Sequence, residues 1–213
     1  MGLTARRISE QPVQPTFSAF LGTGAGKGFS WKPDFRVYAH LTVWENEEAA
    51  NQFLQSDFSR DWQNEADEFG HLELSPVKVH GQWKSVTPFG VHAVYSKGPL
   101  LVLTRARINT NRLAEFWSNV PRASRSLTDN KEVLFSKGIG ELPWIEQATI
   151  SIWPSKDAMV RYAYEGDIHR EIIVKTRKRK WYSEELFAEF IPKVIANQQF
   201  FPKSLTDALR TFN

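Results

Sequence analysis

An α+β fold made of two related halves is predicted by three features of this 213-residue chain. The first is an internal echo. LFSKGIGELPWIEQATISIW (residues 134–153) repeats, more weakly, the plan of FLGTGAGKGFSWKPDFRVYAHLTVW (residues 20–44). Each passes from an apolar residue through a Gly-containing stretch and a Pro into an alternating strand that ends in Trp. Each then enters a helix-like segment. Trp44 and Trp153 stand about half the chain apart, so the repeat is of domain scale. The second feature is composition: 41% hydrophobic residues can build a core, and 13% aromatic residues call for large flat contacts. The third is the order of elements in the second half, β-α-β-β-α-β.

In chain order, MGLTARRISEQP reads as the end of a helix. Residues 35–44 form a strand with Val37, Ala39, Leu41 and Val43 on one face. That apolar face is expected to pack on helices, which turns Tyr38, His40, Thr42 and Trp44 toward the space between sheets. Residues 47–69 read as one helix and residues 71–83 as a strand. A first strand and most of a helix are missing from this copy. Residues 1–83 therefore form a partial N-terminal half, and residues 84–99 a linker.

The second half covers residues 100–213. Residues 100–108, LLVLTRARI, are strand-like. Asn109 or Thr110 caps a helix carrying Leu113, Phe116, Trp117 and Val120 at helical spacing. Pro121 is expected to kink or end its first part. Residues 133–137 give a short strand, GIGELP a loop, and residues 144–153 a second strand. Ser155 caps the next helix, Gly166 interrupts it, and HREIIVKTRKRKW continues as a helix. FAEFIPKVI is the fourth strand. This is the split βαβ, or ferredoxin-like, unit, with helices on one face of its sheet. The other face needs a cover, and a second copy of the unit supplies one, closing a barrel-like pair around a cavity.

Several function classes are excluded or weakened. The absence of cysteine rules out disulfides, Cys-ligated zinc, iron–sulfur clusters and a thiolate-ligated haem within the chain. A net charge of +3 is too weak to argue for nucleic acid. No stretch reaches the about 18 apolar residues of a membrane helix. The first residues lack the apolar run of a secretory signal, so a cytoplasmic location is the expectation. GTGAGKG (residues 22–28) lacks the Lys-Ser/Thr ending of a phosphate loop and reads as a tight turn. KTRKRK (residues 175–180) suits an acidic electron donor or an anionic membrane surface, and equally a solvated helix face.

Ordered motifs along the chain resemble the spheroidene monooxygenase family of carotenoid biosynthesis. They are LTRA (103–106), FWSNVP (116–121), VLFSKGIGELP (133–143), QATISIWP (147–154), a run ending at His169, and EELFAEF (184–190). GTGAGKGF (22–29) and VYAHLTVW (37–44) add to them. The resemblance implies a dimeric α/β-barrel fold and haem as cofactor. It also implies O2-dependent oxidation of an acyclic carotenoid, placing a keto group at the C-2 end. An external electron donor such as a ferredoxin is then required, since no flavin or nicotinamide signature is present. The rival readings are another enzyme on the same scaffold and a haem carrier or sensor.

On this resemblance His169 is the first candidate iron ligand, at a helix start with Ile172, Ile173 and Thr176 continuing its face. A half-exposed helical His is the plain alternative. His40 is the second candidate, and a hydrogen-bonded core His the alternative there. Arg105 and Lys137 are candidate partners of haem propionates, with a salt bridge from Arg105 to Glu141 or Glu146 as the alternative. Trp153, Phe135 and Trp117 are the aromatics expected near the cavity, Trp117 also suiting plain helix core. A strand edge left unpaired by the short first copy favours self-association.

Overall fold

The computed structural model describes residue 8, residues 10–26 and residues 30–212. The expected helix end at residues 1–12 and the end of the glycine-rich stretch, Lys27 to Phe29, lie largely or wholly outside these. The fold is α+β. One curled antiparallel sheet of seven strands runs in the order β2-β1-β5-β6-β4-β7-β3. Its strands are β1 (Phe17–Gly24), β2 (Pro33–Val43), β3 (Phe69–Gly81), β4 (Leu100–Ile108), β5 (Phe135–Leu142), β6 (Glu146–Trp153) and β7 (Tyr182–Gln198). The helices are α1 (Glu47–Leu54), α2 (Asp57–Asn64), α3 (Leu113–Thr128), α4 (Lys156–Val160), α5 (Asp167–Arg179) and α6 (Lys203–Phe212). No helix among the described residues is long and apolar enough to cross a membrane.

The order of strands in the second half matches its pattern, while some element bounds differ. Strands β5-β6-β4-β7 lie in the order of a split βαβ unit, with α3 to α5 packed on one face. Val102 and Ile108 of β4 join Phe116, Val120 and Leu127 of α3 there. Burial of these three side chains lets α3 continue past Pro121 rather than end there, although proline removes one intrahelical hydrogen bond. Ser155 accepts from the Ala158 amide at 3.2 Å and starts α4. A π turn over Arg161–Glu165 and extended backbone at Gly166 separate α4 from α5.

GIGELP is mostly strand rather than loop. Gly138, Ile139 and Gly140 pair with Thr149, Ala148 and Gln147. A Cβ on Gly140 would stand 2.6 Å from the Glu146 carbonyl oxygen, so glycine is required by close approach. The helix expected over residues 47–69 is two helices. Asn46 caps α1 and Ser56 caps α2, each side chain accepting from a backbone amide three residues on.

The first half does not make a second sheet. Its strands extend the sheet of the second half at both ends. The β1–β2 hairpin joins β5 through only two residue pairs, Gly22 with Gly140 and Thr23 with Ile139. Strand β3 instead pairs along β7. The expected hollow between two sheets is filled. Leu101, Leu103, Ile139, Ile152, Ala188 and Phe190 of the inner face pack on Trp83, Phe89, Phe201, Leu205 and Leu209. Phe89 comes from the 84–99 segment and the two leucines from α6. The face of β2 is also opposite to expectation. Ala39, Leu41 and Val43 face this core, and His40 faces α1 and α2.

Leu205 is fully buried at the centre of this filling. Leu205→Ala is expected to lower the unfolding free energy by about 3 kcal/mol, read from urea denaturation, because the cavity left cannot collapse fully.

Candidate functional site

A cleft of about 500 Å³ opens where the β1–β2 and β5–β6 hairpins part company. Its walls come almost entirely from the two echoing segments, residues 20–39 and 139–147, with Trp62 of α2 and Trp117 of α3 added. Seven aromatic rings line it: Phe20, Trp31, Phe35, Tyr38, Trp62, Trp117 and Trp144. Indole N–H groups tie the walls together. Trp117 Nε1 donates to the Trp144 carbonyl at 3.0 Å, and Trp144 Nε1 donates to the Trp31 carbonyl at 3.2 Å. The rings thus have fixed positions without spending donors on a guest.

The cleft's charged groups are already engaged. Asp34 accepts from Arg36 Nε at 3.2 Å, and this bond holds its carboxyl below the usual carboxylate range. Glu141 accepts from Trp83 Nε1 and from Lys84 Nζ, both at 2.7 Å. What the cleft offers a ligand is flat apolar surface.

His40 lies directly behind one wall. Its ring stacks on Phe20 at 4.2 Å and meets Trp62 edge-on at 5.3 Å. Its Nε2 shares a 2.9 Å hydrogen bond with Ser18 Oγ. Burial pushes its pKa down to about 4.

The sheet separates the residues expected to share one cavity. Side chains that face each other across paired strands share a side, and Phe135, Lys137 and Arg105 all fall on the inner side. Phe135 packs there against Phe200 and Phe201. Lys137 Nζ donates to the Gly26 carbonyl at 3.1 Å. Arg105 is buried and ion-paired with Glu184, with Glu146 at 3.6 Å and Glu141 at 4.0 Å. The salt-bridge alternative is the one observed, and its guanidinium has no open side for a propionate.

Trp153 and His169 lie on the helix side. Trp153 is buried, and its Nε1 donates to Ser151 Oγ at 3.0 Å. Tyr162 stacks between them, 4.9 Å from Trp153 and 4.7 Å from His169. Burial lowers the pKa of His169, and its Nδ1 is buried without a hydrogen-bond partner among the described residues. It is not among the residues that line the aromatic cleft. Of the six residues expected at the cofactor site only Trp117 lines the cleft.

As the described residues are placed, neither His40 nor His169 opens onto the cleft, so they do not fit a haem there. No group of three His, Asp or Glu converges to hold a metal ion among the described residues. The rim aromatics Trp31, Phe35, Tyr38 and Trp144 were missed as site residues. The signal that marks them is the repeat itself, which carries all four.

No family model matches the chain. Three curated proteins, each a spheroidene monooxygenase, are similar to it. That of Rhodobacter capsulatus is 33% identical over 194 residues, 89% of this chain and 80% of its own length. That of Rubrivivax gelatinosus is 30% identical over 177 residues, 83% of this chain and 68% of its own length. That of Cereibacter sphaeroides is 36% identical over 177 residues, 82% of this chain but 55% of its own length. The chain thus spans about half of the Cereibacter protein. A solved structure from Fusobacterium nucleatum aligns over 94% of this chain and 86% of its own at 10% identity. Its TM-score of 0.44 is too loose to carry an argument.

The sign of the His40 effect is fixed by its burial. The unfolded chain takes up a proton near pH 6.5 that the folded chain refuses until about pH 4. Stability is therefore lost as pH falls through that window. In His40→Phe this acid-side loss should shrink, measured as the change in urea midpoint between neutral and mildly acid buffer.

Proposed function

The chain belongs to the spheroidene monooxygenase family, and from that premise we propose that it uses O2 to oxidise an acyclic carotenoid or a similarly long apolar polyene. The observation that carries this reading is the aromatic cleft. A polyene is flat, apolar and without charge. Seven rings and a shortage of free polar groups match that chemistry. One end of the substrate lies in the cleft while the remainder extends past the open mouth.

The chain's own part in this reaction is to fix the reacting end and to exclude water from it. The rings of Trp117 and Trp144, held by their N–H bonds, set the depth and orientation of that end. An external donor such as a ferredoxin supplies two electrons per oxygen atom inserted, and the second oxygen atom leaves as water. The keto group at the C-2 end implied by the resemblance is the product we assign; a methylene reaches it by two such insertions, each consuming one O2, two electrons and two protons, the second giving a gem-diol that loses water. Such a substrate partitions into lipid, so the protein takes it up by peripheral contact with a membrane.

The test is formation of ketocarotenoid from an acyclic carotenoid dissolved in detergent, dependent on both O2 and reductant. Trp117→Ala and Trp144→Ala should each lower turnover at limiting substrate by about tenfold, the loss of one good aromatic contact. Unchanged turnover in both variants would sink the assignment of the cleft.

Haem dependence rests on the family resemblance and has its own readout. Any Soret band formed when haem is supplied should survive His169→Ala, because that ring is partly buried against Tyr162 and does not line the cleft. Loss of the band in that variant would return the ligand to His169.

A further inference from the structure

We propose that the mouth of the cleft is the surface on which the protein docks to an anionic lipid bilayer. The inference rests on the reading of the cleft as a site for a lipid-soluble substrate. Among the described residues, Trp31, Phe35, Tyr38 and Trp144 are each more than half exposed, at 55%, 76%, 52% and 51%. All four stand at this one cleft. Only two other described aromatics are as exposed, Tyr164 and Phe212. Scattered exposed rings need no explanation, but four gathered around one opening mark a contact surface.

The chemistry of the patch selects the partner. Trp and Tyr are the residues that settle at the boundary of headgroups and acyl chains. Cations flank them. Lys32 Nζ lies 5.7 Å over the Trp31 ring, and Arg36 and Lys137 stand close by. The carboxylates of the cleft, Asp34 and Glu141, are paired with Arg36 and Lys84. A surplus of positive charge around an apolar patch complements an anionic membrane surface. It disfavours a second copy of this chain, because a symmetric contact would press like charges together. An acidic protein would satisfy the cations and leave the rings unused.

The basic end of α5 is a weaker candidate for the same role. It carries Lys175, Arg177, Lys178, Arg179 and Lys180 without exposed aromatics on the helix. Arg179 is held by Glu115 at 2.9 Å and Lys175 by Asn119 at 3.1 Å. Charge alone attracts a membrane; rings that enter the interface give the contact its place and its direction.

The experiment is co-sedimentation of the full chain with phosphatidylcholine vesicles containing or lacking phosphatidylglycerol, with tryptophan emission as a second readout. Binding is expected with the anionic vesicles, accompanied by a blue shift and weakened by salt. Trp31→Ala combined with Phe35→Ser should reduce it about tenfold, with the urea midpoint checked to show that the variant folds. Arg177→Glu combined with Lys178→Glu should retain most of it. The proposal is overturned if the rim variant binds as well as the parent, or if the α5 variant alone abolishes binding. It is also overturned if the rim variant instead dissolves a dimer seen by sedimentation velocity. Turnover of detergent-dissolved carotenoid by a parent protein that binds no vesicle would overturn the docking surface and leave the proposed function standing. Absence of turnover together with vesicle binding would do the reverse.

Discussion

A single buried guanidinium organises the inner face of this sheet. Arg105 sits at the middle of β4, where an unpaired charge would be prohibitively costly. Its compensation comes from three directions: Glu184 on β7, Glu146 at the start of β6 and Glu141 on β5. Trp83 lies against it at 5.5 Å and donates to Glu141. The same Glu184 accepts the Lys84 and Ser85 amides. Burial works to raise the Glu184 pKa, and these bonds with Arg105 outweigh it, so the carboxyl stays below its usual range. One positive charge thus fixes where four strands and the segment after β3 meet. Because Glu141 also belongs to the cleft, this buried cluster sets one of the cleft's walls.

That wall explains why the interior is dense and the cleft lies at the side. Trp83 and Phe89 enter from the chain after β3, and α6 enters from the end of β7. Together they occupy the concave face that a second sheet would otherwise cover. The aromatic cleft survives where the two hairpins diverge. There the repeated segments approach each other, and their glycines let the strands come close while their aromatics stand out on either side.

The second half was legible because its signals are strong and mutually consistent. LLVLTRARI is rich in Leu and Val, Ser155 has an acidic residue two positions on, and the apolar spacing of α3 outweighs its proline. Less was legible where a local cue had two meanings. The glycines of GIGELP signal a turn, yet they answer a need for close strand approach. In β2 an apolar face and a mixed face were both present, and polarity alone does not say which one meets helices when both are covered. FSAFLGTG is short and glycine-rich, so β1 escaped notice, and α6 follows a Phe-Phe-Pro run that hides its start. The site suffered from the same ambiguity of sides. Residues chosen for chemical type, Trp153 and Arg105 among them, were distributed by strand parity to opposite faces. The repeat, used only to infer the fold, was the better guide to the site.

The two-pair seam between β1 and β5 has a mechanical meaning. Elsewhere the sheet is held by long ladders, and those resist shear as a unit. Here splaying the hairpins costs a few backbone bonds and the Trp144 N–H bond to the Trp31 carbonyl, while each keeps its own internal pairing. A stiff rod longer than the space provided need not bend to enter, because the two walls can part and reclose along its length. The strength of grip on such a guest is then governed by how easily this joint yields, and only secondarily by the width of the opening at rest.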